Sequence, residues 1–196
     1  MSIQAVLFDR DGTLFDTRVR NIFAQLYRRY LLKLEQLHLN PFPMVEEIIE
    51  HLSSLNLDLA LISSGTGTTA TFNILQSLGL DGFFKSIVTM DDYGSPIPLI
   101  VIMRKMFRSF NETFKEWQIT ETLKRLNVMP SQALVVGDSM LDVVAGKKVG
   151  TKTVFVTKGS NKHQKQIVDL KPDAIIQNIM QLPLTIQKIL SNSQIF

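Results

Sequence analysis

Ala5-Val6-Leu7-Phe8-Asp9-Arg10-Asp11-Gly12-Thr13-Leu14 decides the fold. An apolar run, read as a strand over Ile3–Phe8, ends abruptly in two aspartates separated by one residue and a glycine turn. The run does not alternate polar with apolar. It is greasy on both sides, as a strand buried between two layers must be. The same pattern recurs along the chain: further strands are expected at Leu57–Ile62, Ser86–Thr89, Ala133–Val136 and Thr153–Val156, with a weaker one at Ala174–Ile176. Helical periodicity fills the gaps, over Met44–Leu55, Thr69–Leu78, Glu116–Leu126, Leu141–Val149 and Ile179–Leu190, with Gly79 and Gly150 as stops. Strands alternating with helices imply an α/β fold in which a mainly parallel sheet is sandwiched between helices.

Two segments fit the alternation less well. Val19, Ile22, Phe23, Leu26, Tyr30, Leu34 and Leu37 form a helical stripe in residues 17–40, and Ile102, Met103, Met106, Phe107, Phe110 and Phe114 form another in 97–114. Each stripe needs an apolar partner. Either they build a small helical cap beside the ligand crevice, or each covers the sheet. Otherwise the 196 residues read as one domain, with 45% hydrophobic residues for a single core.

Composition narrows the chemistry. Without cysteine there is neither a disulfide nor a thiolate metal site, and His38, His51 and His163 are scattered, which leaves carboxylates as metal ligands. A net charge of +3 spread over the chain, with no aromatic-basic motif, gives no support for nucleic-acid binding. No apolar run is long enough to span a bilayer and no leader pattern opens the chain, so a cytoplasmic protein is expected.

Three strand ends carry reactive groups. Asp9 and Asp11 lie at the carboxyl end of the first strand, where open parallel sheets bind ligands. Two carboxylates so close repel unless a cation lies between them, and oxygen donors suit a hard divalent ion, magnesium before calcium. Gly137-Asp138-Ser139-Met140-Leu141-Asp142 follows the strand at Ala133–Val136 and adds two more carboxylates. Asp138 can reach a metal directly; Asp142 can ligate through water, orient a neighbour, or serve as a first-turn carboxylate favoured by the helix dipole. Ser63-Ser64-Gly65-Thr66-Gly67, between a strand and a helix, offers hydroxyls and backbone N–H groups for an anion such as a phosphoryl group. A dinucleotide fingerprint is not supported, because the third glycine is missing.

Taken together, DRDGTLFDT, the strand-ending SSG and GDSMLD resemble the haloacid dehalogenase superfamily in its phosphatase branch, across roughly Ile3–Val156. The pairing of DxDGTL with a distant GDSxxD is highly specific. The resemblance implies a Rossmann-like three-layer sandwich and a magnesium-dependent phosphatase acting on a small phosphorylated metabolite through an aspartyl-phosphate. It assigns Asp9 as nucleophile, Asp11 as acid and then base, and Ser63, with Ser64 beside it, as phosphate ligand. Magnesium would be held by the Asp9 carboxylate, the Asp11 backbone carbonyl and Asp138, with Asp142 supporting. An aspartate at position 11 points away from dehalogenation.

The family also requires a lysine, commonly in a Lys-Pro-x-Pro setting. Here Ser95-Pro96-Ile97-Pro98 has serine instead, and Lys115 is the preferred candidate over Lys105, Lys124 and Lys85. About 25 residues separate Asp16 from Pro41, too few for a full helical-bundle cap, which implies an open site or one closed by a partner subunit. Monomer and homodimer are both compatible. Two other functions remain: transfer of the phosphoryl group to a second alcohol, as in a mutase, and a catalytically quiet binding module.

Overall fold

The computed structural model describes residues 2–16, 41–65, 67–94, 103, 108–159 and 164–192. Six parallel strands form one sheet: β1 (Ala5–Asp9), β2 (Asp58–Ile62), β3 (Phe84–Val88), β4 (Ala133–Gly137), β5 (Lys152–Val156) and β6 (Ala174–Ile176). Their order is β3-β2-β1-β4-β5-β6. From β1 the chain moves outward through β2 to β3, then returns across the sheet to β4 and moves outward the other way. The reversal opens a crevice between the carboxyl ends of β1 and β4, the place where doubly wound sheets bind ligands. All six strands lie where the sequence pattern expects them, with small shifts at their ends; β1 runs one residue further, so Asp9 is itself the last strand residue.

The described helices are α1 (Val45–Ser54), α2 (Thr68–Ser77), α3 (Arg108–Leu126), α4 (Met140–Val149), α5 (Gln164–Asp169) and α6 (Leu182–Asn192). Side chains alternate along each strand, and this alternation divides the core in two. Val6, Phe8, Leu59, Leu61, Leu134 and Val136 pack with Val45, Ile49 and Leu52 of α1, Leu75 of α2 and Ile186 of α6. Ala5, Leu7, Ala60, Ile62, Ala133 and Val135 pack with Ile119 and Leu123 of α3 and Ala145 of α4. Asp9 follows Ala5 and Leu7 in the period of two, and therefore lies on the α3 side. That parity decides which lysine can reach it.

The sequence pattern divides 97–114 from Glu116–Leu126, whereas α3 runs unbroken from Arg108 to Leu126. No glycine or proline interrupts this stretch, so nothing stops the helix at Phe114 or Lys115. Phe110, Phe114 and Trp117 on its first turns surround Tyr93, with ring centroids 4.8–6.0 Å from it, and Met90 joins the cluster. The segments 17–40, 95–102 and 104–107, and with them the remainder of the two expected cap elements, lie outside the described residues. The short helix α5 has no counterpart among the expected helices. At six residues it is too brief for periodicity to reveal, and it buries Ile167 against Val143 and Phe155.

Candidate active site

The floor of the crevice is charged. Asp9, at the end of β1, is 13% exposed, and its Oδ1 accepts a 2.7 Å hydrogen bond from Lys115 Nζ. The same ammonium lies 2.9 Å from Asp142 Oδ1. Lys115 heads the buried face of α3, with Gln118, Ile119, Thr122 and Leu123 following at helical spacing. It is thus delivered to Asp9 by the same stripe that seals α3 onto the sheet. Lys85 pairs instead with Asp58, at the opposite end of the sheet, and Lys105 lies outside the described residues.

Asp138, just past β4, completes a group of three carboxylates with Asp9 and Asp142 whose candidate ligand atoms lie within 4.8 Å of one another. Burial, only partly opposed by Lys115 and reinforced by Asp142 and Asp138, pushes the Asp9 carboxyl up to about 7. Burial also raises Asp138, against the pull of the Lys158 ammonium 2.5 Å from its Oδ2. Burial holds the charged forms of these carboxylates at a cost, and their oxygen donors suit a hard divalent cation. Magnesium fits this donor set. Asp142 is already engaged: its Oδ2 accepts from Ser139 N at 3.1 Å and Ser139 Oγ at 2.6 Å, closing a capping box at the start of α4, while its Oδ1 faces Lys115. Asp142 thus serves as a first-turn carboxylate and pairs with Lys115 while remaining within reach of the other two carboxylates.

The opposite flank is made by β2 and α2. Asp11 faces Gly65, where a Cβ would come within 2.5 Å of Asp11 Oδ2, so the loop needs glycine there to let the carboxylate close in. Fully buried Arg10 donates from Nη2 to both Asp11 oxygens at 2.8 Å and from Nη1 to Thr71 Oγ1 at 3.3 Å, fixing Asp11 against α2. Ser63 is buried at the end of β2, and its N–H is committed to the sheet through Val88 O. Ser64 Oγ donates to Gln118 Oε1 at 2.7 Å, and Gln118 Nε2 donates to Ser63 O at 3.0 Å. Gln118 sits one turn beyond Lys115, so one helix ties the serine loop to the lysine. The expectation that N–H groups at a helix start receive the anion needs correcting at Thr68: its N–H donates to Asp91 Oδ2 at 2.6 Å, a carboxylate that already complements the helix dipole.

Asp9, Asp11, Ser63, Ser64, Lys115, Asp138 and Asp142 therefore come together at one end of the sheet. Sequence reasoning missed Arg10, Gln118 and Lys158. Lys158 had a usable signal, since it follows β5 as Asp9 ends β1 and Asp138 follows β4. Arg10 reads as a spacer, and Gln118 as an ordinary helix residue.

Comparison with known proteins gives the family. A family model for haloacid dehalogenase-like hydrolases matches residues 24–150. The chain is 30% identical over 156 residues to a phosphoglycolate phosphatase from Aquifex aeolicus, covering 78% of this chain and 63% of that protein, so it spans just under two thirds of that relative. It is 25% identical to the pyrophosphatase PpaX of Oceanobacillus iheyensis over 93% of this chain and 96% of that one. A solved haloacid dehalogenase-like hydrolase from Streptococcus pneumoniae superposes with a TM-score of 0.66 at 19% identity, covering 93% of this chain and 97% of that chain, which is a likeness of fold.

Proposed function

Because the chain belongs to the haloacid dehalogenase-like hydrolases, we propose that it is a magnesium-dependent phosphatase that hydrolyses a small phosphate monoester through a phosphoryl group held transiently on Asp9. The observation that carries this reading is the Lys115 ammonium, set between Asp9 and Asp142, with Asp138 completing an oxygen cluster at the sheet's switch point. A carboxylate nucleophile, a neutralising ammonium and a set of hard-cation ligands meet there, and phosphoryl transfer by way of an aspartyl-phosphate uses all three. The phosphatase and pyrophosphatase names of the two relatives support the same class of substrate.

The residues divide the work as follows. Asp9 and Asp138, with the Asp11 backbone carbonyl, would hold magnesium, which when bound neutralises charge on the phosphoryl oxygens. The ionised Asp9 carboxylate attacks phosphorus, and the bond to the ester oxygen breaks. Asp11, held by Arg10 across from Gly65, gives its proton to the departing alkoxide. In the second half Asp11 takes a proton from water as the water attacks the aspartyl-phosphate, releasing phosphate and regenerating Asp9. Lys115 neutralises Asp9 and the transferring group, and Asp142 holds Lys115 in place. The Ser63 hydroxyl steadies the phosphoryl oxygens, while Ser64, its hydroxyl donating to Gln118, braces the loop beside it.

The test is phosphate release from an aryl phosphate, with and without a chelator. The reading expects release that requires magnesium and disappears in Asp9→Asn; chelator-insensitive release, or equal release from the variant, would overturn it.

A further inference from the structure

Lys115 is the buried lysine of the centre, and a second lysine, Lys158, pairs with its third carboxylate from a more exposed position. Lys115 is 7% exposed and sits between two carboxylates, whereas Lys158 is 25% exposed and pairs with Asp138 Oδ2. The backbone at Lys158 is left-handed, with φ of 54°, a conformation that side chains with a Cβ seldom adopt. It brings the ammonium back over the turn after β1. Gly12 (φ 85°) is required below it, since a Cβ there would run into Asp138 Oδ2 and come 2.9 Å from Lys158 Nζ.

Lys158 also lines a cleft of about 390 Å³ that reaches from the turn after β1 to the residues following β6. Phe42, Pro43, Ile179 and Met180 make it largely apolar, and the Gln177 and Asn178 side chains add amide groups. Thr13, 2% exposed, also lines the cleft, and its Oγ1 is buried without a hydrogen-bond partner. A buried hydroxyl with no partner is costly unless a ligand or water completes it. A small cleft with an apolar wall, a waiting hydroxyl and a cation in its lining has the make-up of a ligand subsite.

Resting on the reading of the centre as a phosphate-ester site, we propose that this cleft receives the leaving group of the ester, and that it selects leaving groups carrying an anion of their own, a carboxylate or a second phosphoryl group, which pairs with Lys158. The three carboxylates of the floor would repel such an anion. Lys158 lies between that floor and the cleft, and its ammonium offsets the repulsion where the leaving group enters. Thr13 Oγ1 donates to the same group or to the ester oxygen next to it.

Binding of two phosphonates that cannot be hydrolysed, phosphonoacetate and ethylphosphonate, to the full chain in magnesium tests this by titration calorimetry. They share the phosphoryl mimic and differ in the carboxylate, so a change in metal loading affects both and cancels in the ratio of their Kd values. The expected result is phosphonoacetate at least about tenfold tighter in wild type, a ratio falling to within about twofold of unity in Lys158→Met, and most of it retained in Lys158→Arg, with unchanged circular dichroism spectra. Equal affinity in wild type, no binding of either compound, or a ratio that survives Lys158→Met would overturn the subsite. Phosphate release from ethyl phosphate and phosphoglycolate separates the two readings: discrimination between phosphonates without any hydrolysis would sink the phosphatase and leave the subsite, while hydrolysis without discrimination would do the reverse.

Discussion

The two flanks of Asp9 solve the problem of holding an anion in different ways. On the β2 side the groups are neutral or neutralise one another: Ser63, Ser64 and Gln118 form a hydrogen-bonded chain, and Arg10 and Asp11 pair at 2.8 Å. On the β4 side there is a surplus of carboxylate, Asp138 and Asp142, offset by two lysines. Neutral donors arranged in advance cost little when the site is empty and bind a phosphoryl group by geometry. Buried like charges cost more and are useful only if a cation joins them. Apart from the acid/base Asp11, the β2 flank therefore orients, while the charged flank holds the nucleophile and the metal ligands; substitutions of the serine chain and of the charged floor should differ in size and in kind.

The largest effect belongs to the charged floor. Asp9→Asn should lower phosphate release by a factor on the order of a thousand or more, because it removes the attacking group and not merely a contact. Lys115→Met should come next. Removing one member of a buried ion-paired group leaves Asp9 and Asp142 facing each other unscreened, at a cost of about 3–5 kcal/mol in urea unfolding. Magnesium should restore part of that loss in Lys115→Met. A variant as stable as wild type without metal would break the contrast, since the lysine would then not be holding the carboxylates together.

Acidity sharpens the comparison. Asp9 titrates near 7 in the folded, metal-free chain against 3.8 as a free carboxyl. A raised folded value means stabilisation that is complete below about pH 4 and is lost as pH climbs through 7. Metal-free protein should accordingly lose stability across that window, and magnesium, which competes with the proton on Asp9, should bind more tightly as pH rises to about 7 and level off above it. Calorimetric titration at several pH values checks this, and Asp9→Asn should flatten the dependence.

The smallest effect is expected on the neutral flank. Gln118→Leu removes the link between α3 and the serine loop, including the hydrogen bond to the Ser63 carbonyl, which costs about 1–3 kcal/mol in stability. It should lower kcat/KM by roughly tenfold, chiefly by raising KM, because the variant still holds the nucleophile and the metal ligands. A loss as large as that of Asp9→Asn would erase the distinction between the flanks.

The same contrast explains what could be read from the sequence. Carboxylates at strand ends are conspicuous because strands are recognisable and aspartate directly after an apolar run is unusual, so Asp9, Asp11, Asp138 and Asp142 were legible, as was the order of strands and helices. Lys115 could be named only as one candidate among several, because the reason it reaches Asp9 is three-dimensional: the parity of β1 turns Asp9 toward α3, and α3 continues through Phe114 without a break. Arg10 and Gln118 left no mark, since a buried arginine and a buried glutamine in α/β proteins look like surface residues until their partners, Thr71 at 61 positions' distance and Ser63 at 55, are brought beside them. Lys158 was signalled only by its place after β5; the left-handed backbone that turns it toward Asp138 is announced by no residue pattern.

The most direct measurement is to quench the reaction with an aryl phosphate in acid during turnover and to locate the phosphoryl group by peptide mass spectrometry. The account predicts a phosphoryl group on the peptide containing Asp9, present only with magnesium and decaying as substrate is exhausted. Steady phosphate release with no phosphoryl group on that peptide, and undiminished release by Asp9→Asn, would contradict it.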